Sequence, residues 1–242
     1  MNVEQLTPPC EHPESVKRAT NGIAWCLYCL DALRHSDFGK QLEIQKRIDA
    51  IQTQAALQTK YKTAMLTPRF MDKDFSNFVS STLRQQAVVD RAQLWTSDFT
   101  IPGSDLVLIG NTGTGKDHLA TAIAKVIISK GMTVLYSDAE KLHRRIRDGY
   151  RIEKEPEQSV MDTYASVDLL VINELGIRTS DALTGMLTEI SNDRVNNMKK
   201  TIWIGNLSIK MFEEKLGDRA FDRIVLKDKS NVLVFDWDSY RP

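Results

Sequence analysis

Leu106-Val107-Leu108-Ile109-Gly110-Asn111-Thr112-Gly113-Thr114-Gly115-Lys116-Asp117-His118-Leu119-Ala120-Thr121-Ala122-Ile123-Ala124 is the stretch that decides the fold. Four apolar residues read as a short buried strand, the next six as a glycine-rich loop, and the remainder as a helix of apolar periodicity. Strand, loop, lysine and helix in this order form a phosphate cradle. The loop lets backbone N–H groups converge on an anion, the helix N-terminus adds positive potential, and Lys116 reaches the β/γ-phosphates of a nucleotide. Gly110, Asn111, Thr112, Gly113, Thr114, Gly115, Lys116, Asp117 and His118 are therefore the expected nucleotide-binding residues.

One position departs from the motif. Ser or Thr normally follows the lysine and ligates magnesium, whereas here the residue is Asp117. A carboxylate ~4–5 Å from a phosphate charge costs ~3–4 kcal/mol at an effective dielectric of 20. The helix N-terminus returns only ~0.3–1 kcal/mol. Asp117 must hold the metal, turn away, or weaken nucleotide binding.

The second half of the site is Asp168-Leu169-Leu170-Val171-Ile172-Asn173-Glu174, a buried parallel strand ending in polar chemistry. Such a strand end ordinarily supplies an Asp for the metal and a Glu for the attacking water. Here the first is Asn173 and the second, Glu174, is kept. One carboxylate is missing from the metal shell while another stands in the loop. Two readings follow: Asp117 compensates for Asn173 at Mg²⁺, or both positions have drifted independently toward slow or absent hydrolysis.

Thr201-Ile202-Trp203-Ile204-Gly205-Asn206 is a further strand with a polar end, where Asn206 is placed to position water. Gly217-Asp218-Arg219-Ala220-Phe221-Asp222-Arg223 then sets two arginines one helical turn apart. A guanidinium offsets charge developing on a γ-phosphate, in its own subunit or in a neighbour.

The first thirty residues carry different chemistry. Cys10, His12, Cys26 and Cys29 form C-x-H-x13-C-x2-C and use all three cysteines of the chain. Two close-spaced ligand pairs suit a structural tetrahedral zinc; the alternative is a loose N-terminus with reduced cysteines. From Asp37 to Ala64, Ile44, Ile48, Ile51 and Ala55 recur at helical spacing, which predicts an amphipathic helix ending near Thr67-Pro68. It packs on its own chain or binds a partner.

The chain has 242 residues with 32 basic and 32 acidic side chains, so bulk positive charge cannot bind nucleic acid and any such contact is local. Lys141, Arg144, Arg145, Arg147 and Arg151 face a single acid, Asp148, with Tyr150 among them. A basic helix with an aromatic neighbour fits single-stranded DNA; a solvated face is the plain alternative. No apolar run approaches the ~20 residues of a membrane span. The N-terminus lacks a secretion pattern, which points to a cytoplasmic address.

In order, the P-loop, LLVINE, WIGN, LGDRAFDR and the closing VLVFDWDSYRP resemble a DnaC/DnaI-type bacterial or phage helicase loader, an AAA+ ATPase. The resemblance covers about residues 68 to 242 and includes Pro68-Arg69-Phe70 and Asp74-Phe75-Ser76-Asn77-Phe78. It implies that Lys116 is the Walker A lysine, Glu174 the Walker B glutamate and Asn206 sensor 1, with Arg219 as the arginine finger acting on a neighbour and Arg223 as sensor 2. It also implies ATP/ADP-gated assembly on single-stranded DNA and delivery of a hexameric replicative helicase held by the N-terminal module. An IstB-type transposition helper and a non-hydrolysing nucleotide-gated adaptor are the rivals, and a small-molecule kinase ranks below them. The expected architecture is a three-layer α/β P-loop AAA+ core with a parallel sheet over residues 67–242, preceded by a zinc-binding and helical module over residues 1–66.

Overall fold

In the computed structural model of the chain, the described residues are 16–18, 24–26, 42, 45–46, 48–49, 52–53, 55–148, 156–176, 180–225 and 229–241. The chain divides into two units, Met1–Ala56 and Leu57–Pro242. In the first, β1 (Val16–Arg18) and β2 (Ala24–Cys26) form an antiparallel pair in which Val16 stands opposite Cys26. Cys10, His12 and Cys29 lie outside the described residues, and Cys26 is described only as a backbone position, so the expected zinc ligands fall beyond this description.

In the second unit, helical residues run to 63 and lead through Pro68–Phe70 to α1 (Leu83–Ser97). Thr82 caps α1 through a reciprocal capping box with Gln85. Then follow β3 (Leu106–Gly110), α2 (Lys116–Ser129), β4 (Val134–Asp138), α3 (Ala139–Asp148), α4 (Glu157–Ser166) and β5 (Leu169–Leu175). The remaining elements are α5 (Asp181–Asn196), β6 (Lys200–Gly205), α6 (Ile209–Leu216), α7 (Asp218–Val225) and β7 (Val232–Phe235).

The five strands form one parallel sheet in the order β4-β5-β6-β3-β7. Because side chains alternate along a strand, each strand feeds two cores. Val107, Ile109, Leu170, Ile172 and Trp203 face one core with Leu142, Ile146, Leu187, Phe212 and Phe221. Leu106, Leu108, Val171, Ile202 and Ile204 face the other with Trp95, Leu119, Ile123 and Ile127. Sheet and two helical layers make the expected three-layer α/β core. Continuous apolar runs such as Leu169–Ile172 are what a strand covered on both faces requires.

Three local features position the site. Gly110 ends β3 with φ +127°, and a Cβ there would lie 2.2 Å from the Phe235 carbonyl oxygen of β7, so only glycine fits. Ile172 pairs with Trp203 and Leu175 with Gly205, so β5 holds one more residue than β6 between these pairs. That bulge contains Asn173 and Glu174, and Glu174 adopts φ +58°, a left-handed conformation costing ~1–2 kcal/mol for a non-glycine residue. Arg194 of α5, fully buried, then ties the layers together. It donates to the carbonyls of Tyr164 (3.0 Å), Ala165 (3.1 Å), Val167 (2.8 Å), Asp168 (3.3 Å) and Lys200 (2.5 Å) and to the Thr201 hydroxyl (3.0 Å).

Among the described residues, no helix is long and apolar enough to cross a membrane.

Candidate functional site

The carboxyl ends of β3, β5 and β6 open on one pocket of about 700 Å³. Its lining includes Lys116, Asp117 and His118 from the start of α2, Asn173 and Glu174 from the β5 bulge, Asn206 after β6, and Thr112 and Gly113 of the loop. A parallel sheet places binding groups at these ends, where helix N-termini and loops converge. Residues far apart in the chain, from Thr112 to Asn206, thus share one chamber of nucleotide size.

Lys116 is buried and folded back over its own loop, where Nζ donates to the carbonyls of Gly110 (2.9 Å) and Asn111 (2.5 Å). Burial pulls its pKa down to about 8; the Arg241 charge adds to that shift and Asp117 opposes it. The lysine sits in a place short of negative charge, which an arriving phosphate would supply. Thr114 braces the loop from within, its hydroxyl donating to the Asn111 carbonyl (2.7 Å).

Asp117 and Asn173, the two departures from the motif, touch. Asn173 Nδ2 donates to Asp117 Oδ1 (2.7 Å), and the hydroxyl of Tyr136, the middle residue of β4, donates to the same oxygen (2.8 Å). Burial, with Asp117 next, raises the Tyr136 pKa well above its usual value, so the phenol stays a donor. Asn173 Oδ1 in turn accepts from the Glu174 backbone N–H (2.8 Å). His118 Nε2 donates to the Asp74 carbonyl (2.8 Å), and its ring meets Phe78 edge-on at 5.0 Å. Burial lowers the His118 pKa, which favours a neutral ring.

The far wall comes from the C-terminal stretch, to which sequence reading gave no role. The Tyr240 N–H donates to the Gly113 carbonyl (2.9 Å), Trp237 Nε1 to the Thr114 carbonyl (3.1 Å), and the Tyr240 hydroxyl to the Val79 carbonyl (2.8 Å). A Cβ on Gly113, which has φ +78°, would lie 2.1 Å from the Ser239 hydroxyl oxygen. Tyr240 and Arg241 thereby line the same pocket as Lys116. Tyr136, Tyr240 and Arg241 are among the site residues missed in the sequence. The quoted ending VLVFDWDSYRP was a signal for Arg241, while an interior strand tyrosine carries none.

The structure does not bring the other two arginines to this pocket. Arg219 and Arg223 lie on the exposed face of α7 and line a separate cleft with Thr188, Asn192 and Asp222; Arg223 Nη1 donates to Asn192 Oδ1 (2.7 Å). On α3, Leu142 and Ile146 are buried as the periodicity requires, leaving Lys141, Arg144 and Arg147 exposed. Lys141 is paired with Asp138 at 2.5 Å and Arg147 with Asp148 at 3.3 Å. Tyr150 and Arg151 lie outside the described residues.

Fold and pocket together define a P-loop protein of the AAA+ class. The chain matches the family described as IstB-like ATP binding protein over residues 39–242, and it belongs to that family. Among its curated relatives is the replicative helicase loader DnaC of Escherichia coli K12, 26% identical over 186 residues that make up 76% of each chain. The crystal structure of the DnaC helicase loader superposes with a TM-score of 0.62 at 22% identity, over 70% of this chain and 100% of that one. The crystal structure of DnaI gives 0.58 at 18%, over 72% and 94%. At these identities the structural likeness shows the fold alone.

The family implies a nucleotide and Mg²⁺, and the residues present fit both. Magnesium takes hard oxygen ligands, with one or two carboxylates and the rest from phosphates and water. Asp117 and Glu174 supply two carboxylates in the pocket that holds Lys116. Among the described residues no group of three or more His, Cys, Asp or Glu side chains is disposed to hold a metal.

Proposed function

We propose that this chain is an ATP/ADP-gated helicase loader that binds single-stranded DNA and delivers a hexameric replicative helicase. The observation that carries the reading is the convergence of Lys116, Glu174 and Asn206 in one pocket of a chain whose curated relatives are named replicative helicase loaders. In this reading the loop N–H groups and Lys116 hold the phosphates, Glu174 orients the attacking water and Asn206 positions it. Mg²⁺, when bound, neutralises charge on the phosphate oxygens. Arg219, with Arg223 beside it, acts on the nucleotide of a neighbouring subunit. Lys141, Arg144, Arg145, Arg147, Tyr150 and Arg151 track the DNA strand. Cys10, His12, Cys26 and Cys29 hold zinc, and the module of residues 1–66 grips the helicase. The protein works in the cytoplasm of a bacterium, as a cellular or a phage protein.

A second reading, a nucleotide-gated adaptor that does not hydrolyse, is favoured by one observation. Asn173 gives its amide to Asp117, so the strand end offers a single carboxylate, Glu174. The test mixes the full chain with candidate hexameric helicases in ATP, ADP or neither, and measures complex formation and DNA-stimulated turnover. Failure to bind any hexameric helicase removes the loader reading. Nucleotide-dependent binding without turnover selects the adaptor.

A further inference from the structure

Asp117 and Asn173 each break the motif, yet they hydrogen-bond to each other at 2.7 Å across 56 positions of sequence. In the ordinary arrangement a hydroxyl follows the lysine and a carboxylate ends the strand, so a donor on the loop side meets an acceptor on the strand side. Here the same bond is present with its ends exchanged. The acceptor is on α2 and the donor is on β5.

The orientation of the Asn173 amide is set by its surroundings. Its Oδ1 accepts from the Glu174 N–H at 2.8 Å while Nδ2 faces the carboxylate. Turned over, the amide would set its N–H₂ against an N–H and its oxygen against a carboxylate, and both contacts would repel. The left-handed Glu174 and the bulge around it hold this geometry in place. Tyr136 adds a second donor at 2.8 Å to the same Asp117 oxygen. With Oδ1 taken twice, Oδ2 carries the remaining accepting capacity of a carboxylate that lines the pocket.

Charge counting leads to the same place. A single change at either position would leave two facing carboxylates or none, whereas the pair as found keeps one. Independent drift gives no reason for the two residues to be complementary, while transfer of one ligand between elements requires it.

We infer that the Mg²⁺ carboxylate has changed sides of the site: Asp117 on the P-loop helix is the metal ligand, and Asn173 and Tyr136 are positioning residues that aim it. This rests on the nucleotide-binding reading above and goes beyond it.

The test measures the affinity of the full chain for a fluorescent ADP analogue in Mg²⁺ and in EDTA, and reads the ratio. Mg²⁺ should strengthen binding by the unaltered protein about tenfold or more, the scale on which metal-shell groups act. Asp117→Asn should bring the ratio close to one by weakening binding in Mg²⁺ relative to EDTA, while affinity in EDTA stays the same or tightens because a carboxylate no longer faces the phosphates; binding in EDTA also reports an intact fold. Asp117→Asn combined with Asn173→Asp should restore the ratio, because the carboxylate returns at the strand with an amide donor opposite. Tyr136→Phe keeps the carboxylate and removes one aiming donor, so it should lower the ratio part of the way and provides an independent readout should Asp117→Asn fail to fold. Retention of the full ratio by Asp117→Asn, or a double variant no better than Asp117→Asn, overturns the inference and leaves nucleotide binding standing. No Mg²⁺ dependence in the unaltered protein also overturns it. No nucleotide binding at all removes the underlying reading as well.

Discussion

Asp105, just before β3, is buried where its two oxygens accept from the Thr201 N–H (2.8 Å) and from Trp203 Nε1 (2.9 Å). Burial raises its pKa from 3.8 to about 6 against those bonds and the nearby charges of Arg194 and Lys200. A carboxyl whose folded pKa is raised holds its proton more tightly in the folded state. Its stabilisation is complete below about pH 4 and is lost as the pH rises through 6. Asp168 runs the other way. Desolvation alone would raise it, but Lys199 and hydrogen bonds from Thr133 bring it to about 2, so its contribution is present above about pH 4 and lost as the pH falls toward 2. Relative to Asp105→Asn, the unaltered protein should therefore lose up to about 3 kcal/mol between pH 4 and pH 7, at ~1.4 kcal/mol per pKa unit. Urea unfolding of both proteins at the two pH values checks this, and a pH-independent difference would show that Asp105 does not titrate in that window. At the same scale, Arg241 stands in the pocket with Lys116. Loss of one charge-assisted contact to phosphate costs ~1.5–3 kcal/mol, so Arg241→Ala should weaken ADP binding about tenfold or more by calorimetric titration; unchanged affinity would make this arginine a bystander. The sequence singled out Asp117 and Asn173 as departures, linked or independent, because a motif says what each position ought to hold. It could not single out Tyr136 or Asp105, since their roles exist only through the register of neighbouring strands.

Elements were legible where pattern and chemistry coincide. β3 and the start of α2 follow from an apolar run, glycines and a lysine, and β5 and β6 from apolar runs with polar ends. The inward face of α3 follows from the spacing of Leu142 and Ile146. Its outward face shows what spacing leaves out, because Lys141 and Arg147 are each paired with an acid. A basic strip counted from sequence is thus more neutral in the fold. If α3 tracks DNA, changing Arg144, Arg145 and Arg147 together to Gln should flatten the log–log salt dependence of single-strand binding by about 2, at ~0.7 per phosphate contact. Fluorescence anisotropy across a salt series measures that slope, and an unchanged slope removes α3 from the DNA path. The bulge of β5 was invisible in the sequence, because one extra residue opposite β6 appears only when the two strands are laid side by side. Arg194 reads in sequence as an ordinary basic residue near a helix end, yet the fold spends all of its donors on carbonyls and a hydroxyl in the interior.

On the scale of the whole molecule, two of the surfaces among the described residues stand apart from each other. One is the pocket of Lys116 and Glu174; the other is the cleft of Arg219 and Arg223 on α7. A protein that hydrolyses alone has no use for a distant second surface, whereas one that works in an assembly can set it against a neighbour's pocket. Lys116→Ala lacks the first surface and Arg219→Ala the second. Each should be inactive as an ATPase alone, and an equal mixture should recover part of the activity wherever an intact pocket meets an intact arginine. A mixture no more active than its components would place Arg219 outside the reaction. The same assay on Arg223→Ala separates the roles of the two arginines.

The sheet order has a consequence for how the protein is made. β3 lies between β6 and β7, yet both neighbours follow it by about a hundred residues in the chain, and the wall formed by Trp237, Tyr240 and Arg241 comes later still. Domains fold as units during synthesis. A ribosome that has passed the P-loop therefore carries a nascent chain whose phosphate loop has no strand on either side and no outer wall. Until residue 235 has emerged, the unpaired backbone edges of β3 are open to chaperones and to other chains, and until residue 241 has emerged the pocket lacks the wall against which a nucleotide would bind and help the chain to fold.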